Sequence, residues 1–168
     1  MRDNNFIIEN NAKHLWHPMG APGDSINNPP KVITNANGSQ ISDIDGHTTV
    51  DAVGGLWCVN LGYSNQAIKK AISEQLDLLP YYSGFAGTTN PAAIEASFMV
   101  KEMFKADGME KVFFTSGGSD SVETCLRLSR QYHRLRGEPT RTKFISLKKG
   151  YHGTHFGGAS VNGNNRFR

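Results

Sequence analysis

Two short runs carry the groups best suited to chemistry, Ser116-Gly117-Gly118-Ser119 and Tyr151-His152-Gly153. A glycine turn that opens a helix leaves backbone N–H groups without partners, at the positive end of the helix dipole. The Ser119 hydroxyl adds a further donor, so phosphate is the natural guest. Tyr151 on the second run offers a flat face that would cover a ring attached to that phosphate. On local pattern alone, a glycine turn that only caps a helix carries equal weight. A second chemistry starts from the same serine. Gly117-Gly118-Ser119-Asp120-Ser121 approaches the nucleophile elbow G-x-S-x-G, which makes Ser119 the nucleophile of a serine hydrolase. The last glycine of that pattern is replaced by Ser121, and its histidine normally lies much further along the chain. Neither G-x-x-x-x-G-K-[ST] nor G-x-G-x-x-G occurs, which removes the nucleoside triphosphate loop and the dinucleotide fingerprint.

The elements that must position these runs follow from hydrophobic periodicity. Lys111 to Thr115 is an apolar run of strand type, and Asp120 to Arg136 places Val122, Leu126, Ser129 and His133 on one helix face. Gly137 stops that helix, and Thr142 to Leu147 reads as a second strand. The expectation is an α/β fold with a right-handed, parallel strand–helix–strand unit, whose two loops open at one sheet edge where ligands bind. Upstream, residues 1–30 read as a short helix around Asn10 to Trp16 and then an extended loop. Short β segments are expected at Lys31 to Thr34, Gln40 to Ile44 and Thr48 to Asp51, with turns at Asn37-Gly38 and Asp45-Gly46. Ser64 is expected to cap a helix carrying Ile68, Ile72, Leu76 and Leu79. Asn90 is expected to cap the next, with Pro91 at its first position.

Composition narrows the class. The chain has 168 residues, 38% hydrophobic and 20% charged, and a net charge of +3, too mild to indicate nucleic-acid binding. Cys58 and Cys125 have no metal or disulfide spacing, and His14, Trp16 and His17 lack further ligands nearby, so no metal site is expected. No apolar run approaches a membrane span and Met1 to Asn5 lacks a secretory signal's apolar core, so a cytoplasmic setting is expected.

Taken together, Phe113 to Glu123 and Lys149 to Gly153 resemble the cofactor-phosphate turn and ring-stacking loop of the class III pyridoxal-phosphate-dependent aminotransferases. His14 to Met19, Asp43 to Gly46, Gly55 to Tyr63 and Leu79 to Tyr82 extend the resemblance over essentially the whole chain, closest to the omega-amino acid (β-alanine or amine):pyruvate transaminases. The resemblance implies a fold-type I architecture. In it, residues 1–60 supply the amino-terminal arm and β-meander of the small domain, and residues 61–168 begin the large, cofactor-binding domain. It implies pyridoxal 5'-phosphate held by Gly117, Gly118 and Ser119, with Tyr151 stacked on the ring and His152 beside it. Leu56, Trp57 and Tyr82 would contact substrate, although Leu56 and Trp57 read equally well as ordinary core. Ser116-Gly117 stands where Asn-Ser is frequent in the family, which removes one polar contact near the cofactor.

The resembled enzymes run to roughly 400 to 450 residues, the size of two or more domains. Their Schiff-base lysine, pyridine-pairing aspartate and substrate-carboxylate arginine belong to the later part, so the expectation is an amino-terminal portion, inactive alone. Its partners would be a small amine or amino acid, an oxo acid, and a second copy or a complementary carboxy-terminal fragment. Exposed strand edges and helix faces would otherwise favour aggregation. A non-enzymatic fragment that only binds phosphate compounds or a partner chain is the third reading.

Overall fold

The computed structural model describes residues 2–168. They form two compact units, the first running to Ser83 and the second spanning Gly84–Arg168.

The first unit begins with α1 (Asn4–His14), capped by Asp3, whose side chain accepts the Phe6 N–H at 2.8 Å. It starts earlier than the periodicity indicated, because the cap rather than the apolar pattern sets the first turn. A short α2 (Pro22–Asn27) occupies part of the expected loop, with Pro22 in its first turn. His17 bonds Asn11 at 2.9 Å and Trp16 donates to the Gly20 carbonyl at 3.0 Å, so these side chains fasten the arm to itself.

An antiparallel meander follows: β1 (Ile33–Asn37), β2 (Gln40–Asp43) and β3 (Thr48–Val50), in the order β1-β2-β3. Asn37 pairs with Gln40 across the tight turn, where Gly38 takes φ 56°. The second turn is held by Asp43, whose Oδ1 accepts the N–H groups of Asp45 at 3.1 Å and His47 at 2.9 Å. Asp43, Asp45 and His47 can bring ligand atoms within 4.8 Å of one another, but these hydrogen bonds already give Asp43 a turn-closing role.

After the meander, a single turn α3 (Gly54–Trp57) precedes α4 (Gln66–Leu78). Asn65, not Ser64, caps α4 by accepting the Ile68 N–H at 3.2 Å; Ser64 Oγ instead reaches the Ala36 carbonyl at 3.5 Å. Asp51 accepts the Tyr63 hydroxyl and the N–H groups of Gly55 and Val53. Those bonds, the Tyr63 hydroxyl foremost, hold the Asp51 carboxyl below the ordinary carboxylate range and push the Tyr63 phenol up.

The second unit contains α5 (Pro91–Met103), a 3-10 turn (Lys105–Asp107), the long α6 (Gly118–Leu135), the short α7 (Phe156–Ser160) and a final 3-10 turn (Asn165–Phe167). Asn90 caps α5 through the Ala93 N–H at 3.0 Å, with Pro91 opening the helix. Gly137, at φ 79°, ends the α6 segment as expected.

The two expected parallel strands are the main departure. Among the described residues neither 111–115 nor 142–147 joins a ladder, and the sole sheet is the antiparallel meander. A strand exists only where a neighbour accepts its hydrogen bonds, and these two runs do not pair with each other. Their side chains match that state: Phe113 and Leu147 are exposed and Ile145 is 100% exposed. No apolar side chain is fully buried among the described residues; the buried polar ones are Ser25, Asp43 and Asn162.

Two outcomes follow for the first unit. Gly62 adopts φ 78°, and a Cβ there would come 3.0 Å from the Gly38 carbonyl. Gly62→Ala should therefore cost about 1–2 kcal/mol, read as a lower urea midpoint. Folded Asp51 holds its charge more readily than the unfolded chain does, so its ties stabilise above about pH 4 and weaken as pH falls through the folded value. Hydrogen exchange across 51–63 should accelerate on acidification earlier in the wild type than in Asp51→Asn, which carries no such titration.

Candidate functional site

The sequence of the α6 amino terminus decides which donors it presents. Gly117 lies in extended backbone and carries no side chain to cap the helix, so the first free donors are those of the helix itself. Ser121 N–H is the first to find an acceptor, the Gly117 carbonyl at 3.0 Å. The N–H groups of Gly118, Ser119 and Asp120 have no acceptor among the described residues. The Thr115 and Ser121 hydroxyl oxygens lie 2.6 Å apart and each 3.1 Å from the Gly117 carbonyl, so their two protons serve two of these three contacts and fix the turn.

The second run is brought against this turn. Thr154 N–H donates to Ser119 Oγ at 3.2 Å, leaving the serine's own proton for another acceptor. Gly153 sits at φ 99°, and a Cβ at that position would lie 2.6 Å from Ser119 Oγ. Only glycine permits that approach. Asp120 accepts the Ser116 hydroxyl on one oxygen and pairs with His155 at 3.0 Å on the other. One turn further along α6, Glu123 accepts the N–H groups of Gly157 and Gly158, each at 3.1 Å, and so caps α7. The loop from 151 to 158 is thus tied to α6 at three successive points.

Asn162 completes the frame. It is 1% exposed, accepts the His152 N–H at 2.5 Å, and donates to the carbonyls of Gly153 and Phe167 at 2.9 Å. Tyr151 packs edge-on against Phe167, with ring centroids 5.1 Å apart, and remains exposed. His152 Nε2 is buried without a partner. A buried ring nitrogen left unbonded costs free energy, which marks a position for a ligand or water.

Of the residues singled out from sequence, Gly117, Gly118, Ser119, Tyr151 and His152 lie in this second unit, and Ser119 is hydrogen-bonded to the loop that begins with Tyr151. Leu56, Trp57 and Tyr82 belong to the first unit, where all three are exposed. Glu123 stood in the sequence only as the end of the resembled run, with no partner legible there, and sequence reasoning missed His155 and Asn162. Nothing in Val161-Asn162-Gly163 sets that asparagine apart from an ordinary loop residue.

These donors suit a phosphate carrying a ring, with N–H groups and a hydroxyl at one end and an aromatic loop beside them. Residues 23–168 match the family described as aminotransferase class-III. The chain belongs to this family. Its relatives include an omega-aminotransferase of Caulobacter vibrioides, 34% identical over 92% of this chain and 34% of its own. A putrescine–pyruvate aminotransferase of Pseudomonas aeruginosa is 37% identical over 79% of this chain and 29% of its own. The crystal structure of an amine transaminase from an uncultivated Pseudomonas species, in its pyridoxal-phosphate-bound form, superposes with a TM-score of 0.87. It is 45% identical and covers 92% of this chain and 35% of its own. The chain spans about a third of the length of the curated relatives it matches. The α/β, fold-type I character expected from sequence rests on this likeness, while the pairing of the 111–115 and 142–147 segments within a parallel sheet is not present.

The three ties between α6 and the loop can be tested one at a time. Glu123→Ala strands two N–H groups and should lower protection of residues 153–160 by about 1–3 kcal/mol, read by hydrogen exchange with mass spectrometry. Glu123→Gln keeps one acceptor oxygen and should fall between that variant and the wild type.

Proposed function

We propose that this chain is the amino-terminal portion of a pyridoxal-phosphate-dependent transaminase that moves an amino group between an omega-amino acid or amine and pyruvate or a similar oxo acid. The observation that carries the reading is the Ser119 turn: three unpaired N–H groups and a free hydroxyl proton, locked against the Tyr151–Thr154 loop. When bound, pyridoxal phosphate supplies an electron sink for negative charge formed on the substrate carbon after deprotonation.

The chain's own residues have defined parts in that scheme. Gly118, Ser119 and Asp120 would donate their N–H groups to the phosphate, the Ser119 hydroxyl would donate a further bond, and Gly117 would let the backbone come close. The Ser116 hydroxyl and His155 engage the two oxygens of the Asp120 carboxylate. Tyr151 would hold the ring by its exposed face, and the unpartnered His152 Nε2 would find its hydrogen bond in the loaded site. Leu56, Trp57 and Tyr82 offer the apolar and aromatic surface that an organic amine requires. The family's reactive lysine belongs, on this reading, to the part of the parent protein outside these residues. A cytoplasmic homodimer is the setting in which the exposed apolar surface would be covered.

The serine hydrolase alternative has no observation in its favour. Ser119 Oγ accepts the Thr154 N–H, and among the described residues no histidine nitrogen bonds it.

Ser119→Ala in the full-length protein should weaken pyridoxal phosphate binding roughly 10- to 100-fold, the worth of one hydrogen bond to a charged group. An absorbance titration reads this directly. Wild-type protein should also form alanine from pyruvate in the presence of an amine donor. Wild-type protein that binds no cofactor, or Ser119 labelled by an organophosphate, would overturn the assignment.

A further inference from the structure

Four consecutive residues in the first unit, Gly54, Gly55, Leu56 and Trp57, have φ of 57°, 60°, 60° and 68°. For the two glycines this backbone is permitted; for Leu56 and Trp57 it brings Cβ against the following carbonyl oxygen and is strained. Burial does not offset that strain, since Leu56 is 66% exposed and Trp57 80% exposed. Non-glycine residues stay in this region only where their surroundings over-determine them.

The surroundings are a carboxylate clamp. Asp51 Oδ1 accepts the Val53 N–H at 3.1 Å, and Oδ2 accepts the Gly55 N–H at 2.6 Å together with the Tyr63 hydroxyl. The clamp is seated on the β1–β2 hairpin at both ends: Asp51 N–H donates to the Ser39 carbonyl at 2.8 Å, and Tyr63 N–H to the Gly38 carbonyl at 2.9 Å. Inside it, the Cys58 and Val59 N–H groups close on the Gly54 carbonyl at 2.9 and 3.0 Å. A rigid hairpin, one carboxylate and one phenol thus hold an exposed indole in a conformation it would otherwise leave.

We propose that Asp51 and Tyr63 are positioning residues that set amine selectivity by fixing the pose of Trp57 as an aromatic wall of the donor pocket. This rests on the transaminase reading above, and it extends that reading to residues that touch neither cofactor nor substrate. The lowered carboxyl of Asp51 and raised phenol of Tyr63 accord with a strong mutual hydrogen bond. Removing the phenol oxygen would free the turn to relax toward ordinary φ values and swing the indole away. Donors that stack on that ring would lose more than donors that do not.

The test uses the full-length transaminase with Tyr63→Phe, Asp51→Asn, Trp57→Ala and the Tyr63→Phe/Trp57→Ala pair. Tyr63→Phe should raise hydrogen exchange in the peptide covering 53–60 roughly 10-fold, the worth of one net hydrogen bond. It should lower the kcat/KM ratio of an aryl-alkyl amine to a short aliphatic amine by about 5-fold, mainly through KM, with cofactor titration unchanged. In the Trp57→Ala background the same substitution should leave that ratio where it is. Unchanged exchange, or an equal shift in ratio with and without Trp57, would overturn the proposal. Should Asp51→Asn fail to fold, Tyr63→Phe carries the test; if neither variant folds, the pair is a structural tie and the selectivity role is refuted. Wild-type protein inactive with every amine would sink the transaminase reading and the selectivity role together, while the exchange measurement still decides whether the clamp holds the turn.

Discussion

The second unit depends on one close approach, that of Gly153 to Ser119. With φ 99° and no Cβ, Gly153 lets the following loop lie directly on the first turn of α6, and the Thr154 N–H then reaches Ser119 Oγ at 3.2 Å. Everything else in the site is consequent on that contact. It aligns His155 with Asp120 and carries Gly157 and Gly158 to Glu123, so the first turn of the helix takes two ties from the loop and the next turn a third. It also decides hydrogen-bond directions: because the serine oxygen already accepts, its proton is left to donate. The backbone N–H groups and that hydroxyl are the donors an anion needs; a nucleophilic serine would in addition have a general base to accept its proton, and among the described residues no histidine nitrogen bonds Ser119.

Polar ties of this kind matter here because the apolar effect is largely unspent. No apolar side chain among the described residues is fully buried, and the most enclosed side chain is that of Asn162, which makes three hydrogen bonds. In a low-dielectric pocket such bonds are individually modest but costly to leave unmade, so they specify a loop path even without a packed core beneath it. Leu128, Tyr132 and Leu135 of α6 and the runs containing Phe113, Phe114, Ile145 and Leu147 remain as surface. A span of about one third of the relatives' length is consistent with that unspent surface.

The first unit reaches rigidity by a different route. Its meander supplies a backbone hydrogen-bond ladder whose register shifts once, between Ile33 and Asn35, and the hairpin turn at Gly38 then serves as an anchor for residues later in the chain. Asp51 collects donors from both sides of the glycine-rich turn, so strain in Leu56 and Trp57 is held locally rather than relaxed. The two units thus share a principle: a single acidic or hydroxyl side chain, fixed by secondary structure, collects backbone N–H groups from an irregular segment.

What the sequence determined alone was local. Asn90-Pro91 cap and open α5, Gly137 ends the long helix, and Asn37-Gly38 makes the hairpin, because each depends on φ preferences and donors within a few residues. The motif order from His14 to Gly153 likewise carries the likeness to the aminotransferase family. Tertiary structure decided what depends on distant partners. Whether Asn65 or Ser64 caps α4 turned on Ser64 being drawn to Ala36, and Glu123, His155 and Asn162 gained their roles only when the 151–163 loop folded back on α6. The segments 111–115 and 142–147 show the limit most plainly. Their β-type composition is visible in the sequence, but a strand is a relation between chains of hydrogen bonds, and a run of apolar residues cannot name the neighbour it needs.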